Sequence, residues 1–176
     1  MLDIQALHNA FYQDVFQWND ERGTLSTLDL NLEKNMLEEE YKEYFNANTT
    51  VDKMDAICDL AFVIFGAVAK TNSLDKDKWL TYQVQRAKSF YLITKYAYRF
   101  TKISNELYDY LSLGTRIDRD KYQGLLYDCF NTVLSANKTK TADKKDNGKI
   151  KKPADFVSPE PTLQKHIEAF VGLYRC

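Results

Sequence analysis

Asp55-Ala-Ile-Cys-Asp-Leu-Ala-Phe-Val-Ile-Phe-Gly66 is the stretch on which the fold of this chain turns. Read as a helix it is apolar nearly all round, and such a helix is buried among others. Asp55 and Asp59 interrupt it four residues apart, so they stack on one helix face. A carboxylate buried there without a partner is costly. Either a cation lies nearby or the group is neutralised. Gly66 falls on the same line two turns further on, where it allows a neighbouring helix or a ligand to come close. The longest apolar run, Leu60 to Ala69, is too short to span a bilayer.

Further helices follow on both sides. Leu2, Ile4, Leu7, Phe11, Val15 and Phe16 repeat at helical spacing over residues 2–18, and Gly23 breaks the pattern. A second helix is expected from about Leu28 to Asn46. Thr50 or Asp52 is expected to cap the third, which runs to about Lys70. A long aromatic-rich helix covers about Trp79 to Leu113 and stops at Gly114. Another spans about Asp118 to Ala136, and a short one about Leu163 to Tyr174. Lys138 to Lys152 holds seven lysines and almost no apolar residue, and Pro153, Pro159 and Pro161 follow. That composition reads as an extended arm.

The whole-chain numbers agree with a helical domain. Six glycines and three prolines in 176 residues are too few for the many turns of an all-β fold, and 44% hydrophobic residues suffice for a core. A net charge of −1 argues against nucleic acid and against an anionic membrane as partners. Cys58, Cys129 and Cys176 are odd in number and widely spaced, which suits reduced thiols in a cytoplasm. The N-terminus carries no visible signal peptide. His8 and His166 stand alone, without ligand spacing.

Met36-Leu-Glu-Glu-Glu-Tyr-Lys-Glu43 adds a second acidic segment. On a helical wheel Glu39, Glu40 and Glu43 share an arc of about 100°, while Glu38 points elsewhere. A glutamate-rich face is often merely solvated. Brought beside Asp55 and Asp59, however, it makes up to five converging carboxylates. Oxygen donors without His or Cys suit magnesium or manganese. Magnesium also binds phosphates, and it can polarise a phosphoryl group.

Glu39-Glu-x-x-Glu43, then Asp55-x-x-x-Asp59-Leu running into Phe62-Val-Ile-Phe-Gly66-Ala, resembles the all-α NTP pyrophosphohydrolase superfamily, which includes MazG, the dimeric dUTPases and phosphoribosyl-ATP pyrophosphohydrolase. The likeness is strongest to small MazG-like proteins of phages and bacteria. Their tails carry a pattern similar to Ser135-Ala-Asn-Lys-Thr-Lys140, Asp146-Asn-Gly-Lys149 and Lys152-Pro-Ala-Asp155. The likeness covers about residues 28–72 and 128–161. The stretch of about 74–127 reads as an inserted helical arm whose aromatic residues serve core or subunit interface.

The resemblance implies an all-α, antiparallel helical bundle completed by a homodimer or a dimer of dimers. Its helical domain would span 1–136, and 137–176 would form the arm and short helix that complete the site. It implies cleavage of a nucleoside triphosphate between the α and β phosphates, in the cytoplasm of a bacterium or phage-infected host; the alternatives are a dUTPase or phosphoribosyl-ATP-type diphosphatase and, outside enzymes, a non-catalytic helical interaction protein whose carboxylates are merely solvated. Glu40, Glu43 and Asp59 would hold magnesium, with Asp55 as a further ligand. Glu39 would orient or deprotonate water. Asn137, Lys140 and Lys149 would contact phosphates or sugar. Two departures stand out. Much of the superfamily has E-x-x-D in the second acidic motif, where this chain has Ala56 three before Asp59. The arginine often found before the E-E pair is also missing, and Glu33 and Lys34 occupy that region.

Overall fold

The computed structural model describes residues 4–140, 150 and 152–174. Among them are six helices and no strand: α1 Ile4–Glu21, α2 Leu30–Asn46, α3 Thr50–Asn72, α4 Trp79–Ser112, α5 Arg119–Lys138 and α6 Glu160–Tyr174. The protein is therefore all-α, as its composition and periodicity predict. None of these helices is long and apolar enough to cross a membrane.

α3 is the central element. It packs against α1, α2, α4, α5 and α6, and this is the burial its apolar composition demands. Met54, Ile57, Leu60, Ala61 and Phe65 are at most 1% exposed. Cys58 and Cys129 are both buried thiols in the same core. The N-terminus of α3 differs from the expected Thr50 or Asp52 cap. Thr49 is the cap: its hydroxyl accepts from Asp52 N at 3.1 Å, while the Asp52 carboxylate accepts from Thr49 N at 3.2 Å. Each side chain satisfies a backbone donor that the helix start would otherwise leave unpaired.

α2 reaches α3 through only three residues, 47–49, so the two helices run antiparallel as close neighbours. At the far end of α4, Gly114 takes a φ of +69°, a left-handed turn that suits glycine. Along α4, Tyr96, Phe100, Ile103 and Leu107 lie in the core, whereas Leu80, Val84 and Tyr91 in its first half, and Tyr98 on its outer face, are exposed. Glu38 leaves the acidic face of α2, as the wheel predicts. Its carboxylate accepts from the Tyr96 hydroxyl and from Arg99 Nη1 at 2.7 Å, tying α2 to α4.

Candidate active-site cavity

Two lines of side chains face each other across the α2–α3 pair. On α2 the line is Glu33, Met36, Glu40 and Glu43. On α3 it is Asp59, Phe62, Val63, Gly66 and Lys70. Steps of three and four residues keep each line on one helix face. Together they wall a cavity of about 340 Å³, within the range of small-ligand pockets. The end of α1, the end of α5 and residues 150 and 152 complete it through Trp18, Asn19, Asn137, Lys140, Ile150 and Lys152.

Glu40, Glu43 and Asp59 line this cavity, and Glu40 is only 8% exposed. Glu39 does not line it. A step of one residue turns it about 100° from Glu40, and it stands exposed on a neighbouring groove with Asn35, Glu38 and Lys42. Glu43 borders both spaces. Asp55 is also absent from the cavity wall. It sits a turn behind Asp59, with Oδ1 buried and without a hydrogen-bond partner among the described residues. Burial pushes its carboxyl up to about 7, reinforced by Asp59 and Glu160 and opposed by Lys152 and Lys140.

The expected second signature meets the first. Asn137 and Lys140 are in the cavity wall, 97 residues or more along the chain from Glu40. Burial lowers the pKa of the Lys140 ammonium, while Asp59, Glu40 and Asp55 act to raise it. Lys149 lies outside the described residues. Lys152, unassigned from the sequence, joins the wall.

Two residues that sequence reading passed over hold this corner in place. The Trp18 indole N–H donates to Asn137 O at 2.8 Å. Arg22 stacks over the Trp18 ring at 4.4 Å and donates through Nη2 to Lys138 O and Lys140 O, at 3.2 and 2.9 Å. The last carbonyls of a helix lack intrahelical donors, so these contacts both satisfy the end of α5 and anchor it on α1. Gly66 faces α1 as its place on the Asp59 line suggests. A Cβ there would lie 3.5 Å from the Asn19 amide.

Glu33 and Lys70 were missed as well. Lys70 Nζ donates to Glu33 Oε1 at 2.5 Å, and Glu33 is 1% and Lys70 8% exposed. Burial raises the Glu33 pKa against the pull of Lys70. The signal was present in the spacing: Glu33 is two turns before Glu40, and Lys70 three turns after Asp59.

No three His, Cys, Asp or Glu side chains among the described residues are grouped so as to hold a metal ion by themselves. Magnesium does not require such a cage. It commonly binds one or two carboxylates, keeps waters, and takes its remaining ligands from substrate phosphates. The oxygen-only set of Glu40, Glu43 and Asp59, with Asp55 Oδ1 unpaired behind it, fits a hard cation of that kind. Compared with known protein families, with curated proteins and with solved structures, the chain matches none.

Proposed function

We propose that this protein is a magnesium-dependent nucleoside triphosphate pyrophosphohydrolase, with manganese as an alternative ion, and that its bundle is of the all-α pyrophosphohydrolase type. One observation carries the reading. The carboxylates Glu40, Glu43 and Asp59 share a cavity with Asn137, Lys140 and Lys152, which come from the other end of the sequence. Carboxylates alone suit a cation; carboxylates opposite lysines suit a cation together with a polyanion.

Glu40, Glu43 and Asp59 would supply the one or two carboxylate ligands of a magnesium ion whose other ligands are waters and substrate phosphate, and the ion would neutralise phosphate charge and activate water. Lys140 and Lys152 would draw the triphosphate in and stabilise negative charge as the α–β bridge opens. Asn137, fixed by Trp18, would orient the substrate. Glu39 stands one turn before Glu43, on the groove that shares Glu43 with the cavity, and would take the proton from a water entering through that groove. Trp18, Phe62 and Val63 give the cavity an apolar middle suited to a sugar and base. Incubation with magnesium and a panel of deoxynucleoside triphosphates is expected to release pyrophosphate and the monophosphate. A Glu40→Ala variant should release neither. Release of orthophosphate, or no turnover of any nucleotide, overturns the proposal.

We also propose that a second copy covers α4. Leu80, Val84, Ala87, Tyr91 and Tyr98 stand exposed at alternating steps of three, four and seven residues. That is the spacing of a helix seam that packs on another helix. Light scattering should give at least twice the mass of one chain, and Tyr91→Asp should reduce it to one. A wild-type mass of one chain would rule the assembly out.

A further inference from the structure

The carboxylate end does not use the opposite end of the cavity, where Glu33 and Lys70 lie. We infer that this pair reads the edge of the nucleobase and selects bases that present an N–H beside a carbonyl, namely guanine and thymine or uracil. The inference rests on the pyrophosphohydrolase reading and names its substrate class.

Glu33 lies seven residues from Glu40 on α2, or about 10 Å along the axis. Lys70 lies eleven residues from Asp59 on α3, or about 16 Å. The shorter span is comparable to the reach from an α-phosphate to the far edge of its base, and the long Lys70 side chain makes up the difference on α3 by reaching Glu33. The apolar Met36, Phe62 and Val63 lie between the two ends on the same helix lines.

Asn19 Nδ2 donates to Val15 O at 2.8 Å. Thr24 Oγ1 donates to Asn19, and Thr27 Oγ1 to Thr24 O at 2.9 Å. The amide and hydroxyls at this end are thus engaged within the protein. Glu33 Oε2 is different: it is buried, and it has no hydrogen-bond partner among the described residues. A buried carboxylate oxygen left unpaired is costly, and a ligand N–H would relieve that cost. An ammonium carries three N–H bonds, and Lys70 spends one on Glu33 Oε1. The pair therefore offers an acceptor beside a donor.

Guanine N1–H with O6, and thymine N3–H with O4, match that order with a full carbonyl for the ammonium. Adenine has no carbonyl on its edge. In cytosine the ring nitrogen beside the carbonyl is an acceptor. Guanine also brings a second N–H next to the first, so it should be taken best. A site that hydrogen-bonds its substrate rejects analogues that leave its buried groups unpaired.

The test is kcat/KM with magnesium for dGTP, dTTP, dATP and dCTP. It is run on the wild type, on Glu33→Gln and on the double variant Glu33→Leu/Lys70→Met. The double variant replaces the pair with apolar groups of similar size, so its folding does not suffer from a stranded charge. The wild type is expected to favour dGTP over dATP by about tenfold or more, the scale of one directed hydrogen bond. The folded double variant should lose that preference while still releasing pyrophosphate. If the wild type turns over all four nucleotides alike, or if the double variant keeps the wild-type ratio, the base-reading role is wrong and the pyrophosphohydrolase reading stands. If no nucleotide is cleaved by the wild type, both fail.

Discussion

Asp59→Asn is expected to lower pyrophosphate release by about a hundredfold to a thousandfold, with the thermal transition close to that of the wild type. The substitution keeps the shape, removes the charge and turns one acceptor oxygen into an N–H donor. Asp59 is half-exposed and lines the cavity opposite Lys140, so losing its charge removes both an oxygen ligand and a partner of that lysine. Losing one directed electrostatic contact in an active site typically costs this much. Raising the magnesium concentration should recover part of the rate if the loss lies in ion binding, and none if it lies in placement of the phosphates. Wild-type turnover in a folded Asp59→Asn protein would remove the α3 carboxylate from the chemistry. Glu39→Gln is the companion measurement. A fall of about a hundredfold assigns proton transfer to Glu39. An unchanged rate passes that role to Glu43, which borders both spaces.

The sequence made the helices legible because periodicity, caps and breakers are local. The ends of α2 and α4 fall within about two residues of expectation, and the cap of α3 differs by one. The candidate site was legible in part for the same reason. Glu40, Glu43 and Asp59 sit at steps of three and four on helices that had to meet, and all three line the cavity. Glu39 shows the limit. An arc of about 100° is wide enough to include two different surfaces, and only the packing of α3 and α4 on α2 decides which surface is enclosed.

Trp18 and Arg22 were illegible for another reason. Their contacts are with carbonyls at and just past the end of α5, more than a hundred residues away, and a backbone carbonyl carries no residue identity. Glu33 and Lys70 lay in between. Each is on the right helical line, but a glutamate and a lysine 37 residues apart look like ordinary surface charges until both are found buried. Glu33 and Lys34 stand where the resemblance expects an arginine before the E-E pair. Glu33 instead forms part of the cavity wall.

That burial sets up the second large effect. Lys70→Met should destabilise the fold by about 3–5 kcal/mol, because it strands the Glu33 carboxylate in the protein interior. For a chain of this size the melting temperature should fall by roughly 6–20 °C. Glu33→Leu should act similarly by leaving the ammonium unpaired. The double variant Glu33→Leu/Lys70→Met should recover most of the loss, since an apolar pair avoids the desolvation of both charges. Urea unfolding of the four proteins closes a double-mutant cycle. Additive losses, with the double variant the least stable, would mean that the two side chains act independently. The expected cycle has a further consequence. If an apolar pair is as stable as the ionic one, stability does not explain why charges occupy the inner end of the cavity. A ligand that needs an acceptor beside a donor does.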